Sequence, residues 1–128
     1  MTFSFTIPCR PTTKKNSGQI VMVGKFPRIF PSKNYREWDK AAQRCLVLVR
    51  RQLEKPIDFP VNCCAIFYRE ANIGDACGYY EALADTLQTA GIVKNDRYLV
   101  SWNGSLLRKD KENPRVEVIL EAIDHGDE

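Results

Sequence analysis

The sequence predicts a small α+β domain in which a mixed β-sheet packs against two main helices. Its 128 residues are 44% hydrophobic and 27% charged, values typical of one globular domain. Strand-like alternation and helix-like spacing of apolar residues occupy separate segments, in the order βββαβαββ. No apolar run approaches the roughly 18–20 residues that a membrane-spanning helix needs. We expect the domain to cover residues 1–122 and a polar tail to cover 123–128.

The predicted strands follow from alternation and from the residues that interrupt it. The first pattern starts at Phe3 and is ended by Pro8. A hairpin is predicted around Gly24 and Lys25, and Pro27 favours an edge position because proline cannot donate a ladder hydrogen bond. A further strand could begin at Leu106. The predicted strands are, in chain order, 3–7, 20–23, 26–30, 61–68, 98–102 and 116–120.

Two helices are predicted from spacings of three and four residues. The first is opened by Pro31-Ser32-Lys33-Asn34, where Asn34 stands at capping-box spacing from Glu37, and runs to about residue 54. The second covers about 75–90, with Gly91 as its C-cap. The opposite face of the first helix is basic; it carries Arg36, Lys40, Arg44, Arg50 and Arg51.

Charge divides the chain into two unlike halves. Residues 1–56 have a net charge of +9 and residues 57–128 a net charge of −6, which together give +3. A basic half can contact polyphosphate, and an acidic half can hold metal ions. A chance partition of two solvated faces is the alternative interpretation.

Cysteine and histidine usage excludes several functions. The five cysteines include no CxxC pair and no signal peptide precedes them, so free thiols in a reducing cytosol are expected. The only histidine, His125, lies in the polar tail, which argues against a zinc site, a Ser-His-Asp triad and HNH-type nuclease chemistry.

Three aspartates are candidates for a metal site. Asp75 stands at the start of the second helix, and Asp85 lies ten residues later, about 15 Å along the axis. They cannot share one ion, so we expect Asp96 to approach Asp75. Plainer roles stay open: Asp75 as a helix cap, Asp85 as a surface residue or a partner of nearby backbone, and Asp96 as a turn former.

The second helix and its flanks resemble a known family. The segment 74–87 reads GDACGYYEALADTL and is followed by Ala90-Gly91-Ile92 and Asn95-Asp96-Arg97. This resembles the signature of the RusA family of Holliday junction resolvases, roughly D-x-D-N-x-x-K-x-x-x-D-x-L followed by a Gly and a D-D pair. The stretch Phe5-Thr6-Ile7-Pro8, the Lys15-Asn16 loop and Tyr35 are similar to the start of that family, so the resemblance extends to about residue 122.

The resemblance implies a small homodimeric endonuclease, usually encoded by prophages, that uses Mg²⁺ (or Mn²⁺) to cut branched DNA in the bacterial cytosol. Asp75 matches the first catalytic aspartate and Asp96 the last, with Asn95 in place of the first member of the D-D pair. Asp85 matches the aspartate within the helix. Three further positions depart from the pattern.

These departures bear on metal binding. Cys77 replaces the second catalytic aspartate, with Gly78 at the following Asn, and Glu81 replaces a lysine. A thiol is a poor ligand for Mg²⁺, which prefers oxygen. Glu81 lies one helical turn after Cys77 and could compensate. The hypothesis is that Asp75, Asp96 and Glu81 act in catalysis. Asp85 is grouped with the metal ligands. Its expected role is either to bind in an outer ligand sphere or to support the fold.

Basic residues of the N-terminal third are the predicted DNA contacts, namely Lys14, Lys15, Asn16, Lys25 and Arg28. A solvated loop is the alternative for Lys14 and Lys15. Recognition of junction shape is favoured, since nothing resembles a base-reading helix. Phe26, Phe30 and Trp102 could stack on an unpaired base, although core packing is the expected use of all three. Apolar strand surface left uncovered by the helices is the expected dimer face.

Two alternatives remain. One is a catalytically degenerate protein that binds junctions in phage recombination or replication without cutting them. The other is an unrelated soluble binding domain.

Overall fold

The computed structural model describes residues 1–13, 19–30 and 32–123. For residues 19–21 and 28–30 it describes the backbone only. In these ranges the chain forms seven strands, two α-helices and one 3₁₀ turn. They are β1 (Thr2–Ile7), β2 (Gln19–Val23), β3 (Phe26–Phe30), α1 (Lys33–Arg50), β4 (Val61–Arg69), α2 (Ala76–Thr89), the 3₁₀ turn (Asp96–Tyr98), β5 (Leu99–Ser101), β6 (Leu106–Lys109) and β7 (Arg115–Ala122).

The main sheet is mixed, as predicted. Its order is β1-β7-β4-β5, with β6 also paired to β4. Strands β1 and β4 are antiparallel to β7, whereas β5 and β6 run parallel to β4. Strands β2 and β3 form a separate antiparallel ribbon. The predicted order lacked one strand, because the apolar pair at Leu106 begins a complete strand, β6.

One face of the sheet forms the core together with both helices. Alternate residues of β4 and β7 are fully buried, as expected for strands that cover a core with one face. The indole of Trp38 on α1 donates to Thr86 Oγ1 on α2 at 3.1 Å, and Thr86 donates to Asp39 Oδ1 at 3.0 Å. These buried bonds fix the two helices against each other.

The helix α1 opens within the predicted segment 31–34, but the capping role given to Asn34 and the predicted C-terminal end are wrong. Its N-cap is Ser32, whose Oγ accepts from the Tyr35 amide at 3.1 Å, so Asn34 lies inside the first turn. The helix ends at Arg50 rather than near residue 54. The apolar spacing continues to Leu53 because that residue packs on the core from a turn beyond the helix.

The predicted ends of α2 are close to those observed. Asp75 is the N-cap, and Gly91 follows the last turn with φ +74°. The amide of Gly91 donates to the Gln88 carbonyl and that of Ile92 to the Leu87 carbonyl, each at 3.0 Å. This is a Schellman motif with buried Ile92 and Leu87 at its ends. None of the described helices is long and apolar enough to cross a membrane.

Candidate active site

The loop between β4 and α2 is held by one arginine at the end of the strand. Arg69 Nη1 donates to the carbonyls of Ile73 (3.1 Å) and Gly74 (3.4 Å), and Nη2 donates to Asn72 Oδ1 at 3.3 Å. The Tyr79 hydroxyl also donates to the Ile73 carbonyl. Burial raises the pKa of Tyr79, which keeps this donor protonated. The chain therefore enters α2 in a fixed orientation.

That entry presents Asp75 at the surface. Its Oδ1 accepts from the Gly78 amide at 2.9 Å, and the residue is exposed. The capping role considered from the sequence is therefore confirmed. It does not exclude metal binding, since a carboxylate has several acceptor positions and Mg²⁺ takes oxygen ligands.

Thr13 packs against the same end of the helix. Thr13 is buried, and a Cβ added at Gly74 would lie 2.7 Å from its Cγ2. At Gly78 an added Cβ would lie 2.8 Å from Thr13 Cβ and 3.1 Å from Asp75 Oδ1. Both glycines thus permit the segment to touch the turn that carries Asp75.

Lys14, Lys15 and Asn16, which were predicted to bind DNA, lie outside the described residues. Thr13, the last described residue before them, packs against the helix end that carries Asp75.

A cleft of about 230 Å³ opens beside Thr13. Its polar lining combines two guanidinium groups with hydroxyl and amide groups, from Arg10, Arg69, Thr12, Thr13, Ser32 and Asn34. Glu70 also lines it and pairs with Arg10 at 3.7 Å. Guanidinium and hydroxyl donors suit a phosphate group.

The expected approach of Asp96 to Asp75 is wrong within one chain. The Asp96 amide donates to Gln88 Oε1 at 2.8 Å, which places it at the C-terminal end of α2. A helix of 14 residues is about 21 Å long. The cause is the parallel pairing of β4 and β5. Asp75 follows the carboxyl end of β4. Asp96 precedes β5, and β5 pairs with β4 at Val61, the first residue of β4.

Asp85 lies between the helices instead of at either end of α2. It is half-buried, and its Oδ2 accepts from the Tyr35 hydroxyl at 3.5 Å. The pKa of Tyr35 is raised to about 12. Burial is the largest cause, and the charges of Asp85 and Asp39 add to it. These contacts fit the fold-supporting role considered for Asp85.

Glu81 and Cys77 both lie on the exposed side of α2, one turn apart as expected. Within residues 1–13, 19–30 and 32–123, no group of three His, Cys, Asp or Glu side chains is placed to hold a metal ion. A site built on these carboxylates therefore needs ligands beyond those that one described chain brings together.

The basic face of α1 is exposed opposite its buried face. It contains five exposed cations and extends for about 27 Å; they are Lys33, Arg36, Lys40, Arg44 and Arg51. We call this set the α1 stripe. Arg50, predicted on the same face, is half-buried and donates to the Leu53 carbonyl at 2.9 Å.

Two of the other predicted DNA contacts lie in the β2–β3 ribbon. Lys25 is exposed in its turn, and the side chain of Arg28 lies outside the described set. Phe26 is exposed, so its expected core packing is wrong. Trp102 is half-buried and stacks on Tyr80 with ring centroids 4.5 Å apart, in agreement with core packing.

Two structurally important residues, Thr13 and Arg69, were not singled out from the sequence. The signal for Thr13 was the pair of glycines around Asp75, which indicates close approach of another segment. Arg69 had no local signal beyond its position at the end of an apolar strand.

Comparison with models of protein families and with curated proteins gives no match to this chain. The family remains the hypothesis suggested by the motif around α2.

Proposed function

We propose that this protein is a RusA-like, Mg²⁺-dependent endodeoxyribonuclease that cuts branched DNA, such as four-way junctions, in recombination and repair. The observation that carries the proposal is the contact of Thr13 with Gly78. Thr13 packs on the helix turn that exposes Asp75, and it also lines the cleft that contains Arg10 and Arg69. Two described cations that can bind phosphate, Arg10 and Arg69, thus lie near the helix end that carries a potential metal ligand.

The residues fit the chemistry of a hard cation. Asp75 and Asp96 are exposed carboxylates, and oxygen is the ligand type that Mg²⁺ (or Mn²⁺) prefers. Bound there, the ion would supply a nucleophile from water and neutralise charge on the phosphate. Asp75 would orient it, while Arg10, Arg69 and the hydroxyls of the cleft would hold a phosphate of the substrate.

The separation of the two aspartates leads to a two-copy site. They lie at opposite ends of a helix about 21 Å long, so one ion can contact both only if each comes from a different copy. A two-fold dimer then forms two such sites, one for each strand to be cut.

A surface for the second copy is present on the open face of the sheet. It exposes large apolar side chains that the helices do not cover, namely Val100, Leu106 and Ile119. Exposed apolar patches commonly mark protein interfaces. The patch fits the dimer face expected from the sequence. It lies on the side of the sheet opposite α2, so it does not by itself bring Asp96 of one copy to Asp75 of the other, and the shared site needs the copies to meet at the ends of α2.

Glu81 is the proposed replacement for the carboxylate lost at Cys77. Both are exposed on one side of α2, and Glu81 has the longer reach. Glu81→Gln should reduce Mg²⁺-dependent cleavage at least tenfold, whereas unchanged cleavage would remove Glu81 from the site. Asp85 is assigned to support of the fold, because it lies between α1 and α2 against Tyr35.

The α1 stripe is the proposed track for a DNA arm. Five exposed cations on one side of the helix can neutralise phosphates, which makes binding salt-dependent. The five free cysteines suit a reducing compartment, so we place the protein in the bacterial cytosol, in a phage or prophage context.

A junction-binding protein without catalysis is the second candidate. It is favoured by the thiol at Cys77 and by the lack of a three-ligand acidic group among the described residues. Such a protein would keep the basic surfaces and lose only the metal site.

Cleavage of a labelled synthetic four-way junction decides between the two candidates. The proposal predicts paired cuts that require Mg²⁺ and disappear in Asp75→Asn. Retardation of the junction on a native gel without cutting, for wild type in Mg²⁺ and in Mn²⁺, would favour the binder. If the junction is neither cut nor retarded, the family hypothesis itself is contradicted.

A further inference from the structure

The tip of the β2–β3 ribbon exposes large apolar side chains to solvent. Phe26 is 71% exposed, Met22 is 63% exposed and Val23 is 48% exposed. They flank the turn formed by Gly24, with φ +64°, and Lys25. The ribbon forms a sheet of its own, separate from the main sheet.

Both faces of this tip are apolar. The register pairs Val23 with Phe26 on one face and Met22 with Pro27 on the other. A two-stranded ribbon is only marginally stable in water when no other surface covers it. The tip is therefore suited to an occupant that buries an aromatic ring.

The charges of the sequence that contains the ribbon indicate what kind of occupant this is. Residues 1–36 include seven Lys or Arg and no Asp or Glu. Lys25 is directly adjacent to Phe26 and is exposed. A partner that offers flat apolar groups between negative charges is a nucleic acid with unstacked bases.

We propose that Phe26 stacks on an unpaired base at the branch point of the DNA, while Lys25 contacts a neighbouring phosphate. This rests on the proposed function, since it presupposes binding of branched DNA. A base in a continuous duplex is covered by its neighbours, whereas a branch point interrupts that stacking. Phe26 then contributes to the preference for junctions over duplexes, and Lys25 contributes to affinity for both.

The test compares the affinities of a four-way junction and of a linear duplex with equal numbers of base pairs, measured in EDTA so that neither is cut. Phe26→Ala should weaken junction binding about tenfold and leave duplex binding within about twofold. Phe26→Trp should retain junction binding. Met22→Ala, on the other face of the tip, is the matched control. Lys25→Gln should weaken binding of both substrates and make the slope of log affinity against log salt shallower by about one.

A second readout reports stacking itself. With 2-aminopurine at the branch point, wild type and Phe26→Trp should change its fluorescence, and Phe26→Ala should not. Circular dichroism and elution volume show whether each variant is folded and in the same oligomeric state.

The outcomes separate this inference from the proposed function. If wild type prefers the junction and Phe26→Ala does so equally, the inference is overturned and the function stands. If wild type shows no preference for junctions, both fail. A lower oligomeric state in Phe26→Ala would assign the tip to a second copy. Binding to phosphatidylserine vesicles that Phe26→Ala abolishes would assign it to a membrane. Either result would overturn the inference.

Discussion

Thr13 lies so close to Gly78 that a Cβ built at position 78 would be 2.8 Å from the Cβ of the threonine. This contact connects the first polar loop with the N-terminal turn of α2. It joins residues 65 positions apart in the sequence and places Thr13 against the turn that carries Asp75.

Gly78→Ala should destabilise the protein, although alanine is the better helix former by about 1 kcal/mol. Overpacking against buried Thr13 should cost about 1–3 kcal/mol, measured as the free energy of unfolding in urea. Cys77→Ala, exposed in the same turn, is the control and should change stability by less than about 0.5 kcal/mol.

A double-mutant cycle isolates the contact. Thr13→Gly removes the atoms that collide, so Gly78→Ala should cost less in that background than in wild type. Helix propensity alone predicts that Gly78→Ala stabilises the protein. If that is observed, Thr13 does not contact Gly78 as the structure shows.

Asp75→Asn and Asp75→Ala should differ in stability and agree in activity. Asparagine caps a helix about as well as aspartate, whereas alanine loses the bond to the Gly78 amide and about 1 kcal/mol. Urea unfolding should therefore rank wild type and Asp75→Asn together above Asp75→Ala. Both variants should lose Mg²⁺-dependent cleavage; full cleavage by Asp75→Asn would reduce Asp75 to a cap.

The ends of α2 could be predicted from the sequence because their causes are local. An aspartate before an apolar helix and a glycine after it fix the N-cap and the Schellman turn within a few residues. The N-terminus of α1 was ambiguous, since Ser32 and Asn34 both suit an N-cap and only packing of the helix selects between them.

The geometry of the candidate site could not be predicted, because it depends on pairing between distant segments. The parallel pairing of Val61 with Leu99 sends Asp96 to the end of α2 opposite Asp75. No local pattern encodes that pairing. The exposure of Phe26 is also nonlocal, since the same apolar alternation would suit a ribbon packed on the core.

Neutralising part of the α1 stripe should weaken DNA binding in a salt-dependent way. The double variant Lys40→Gln and Arg44→Gln removes two exposed cations from α1. The slope of log affinity against log salt should become shallower by about 2. Arg108→Gln with Lys109→Gln, exposed on β6, is the charge-matched control and should leave the slope near wild type. Equal changes in both double variants would show that net charge matters and the stripe does not.

The loop after β6 should contribute stability that is lost in acid. Arg115 Nη1 donates to Asp110 Oδ2 at 2.9 Å, and this bond holds the pKa of Asp110 below its ordinary 3.8. A carboxylate with a lowered pKa stabilises the folded state fully above the unfolded pKa. That contribution disappears as the pH falls through the lower, folded value.

Asp110→Asn should therefore lower the free energy of unfolding at pH 7, and the difference from wild type should shrink below about pH 4. Urea unfolding between pH 7 and pH 3 measures it. Glu112→Gln, an exposed acid two residues later, is the control and should show a smaller difference at pH 7. A difference that stays constant down to pH 3 would mean that the ion pair with Arg115 does not cause it.

The central claim is that one metal site uses Asp75 from one copy and Asp96 from the other. It is tested by mixing Asp75→Asn with Asp96→Asn under conditions that exchange subunits, and by counting nicks in a four-way junction in Mg²⁺. Each variant alone should be inactive. In a mixed dimer one shared site keeps both aspartates, so nicking should return to about a quarter of the wild-type level at full exchange. No return of nicking, although mixed dimers form and bind the junction, would contradict the claim.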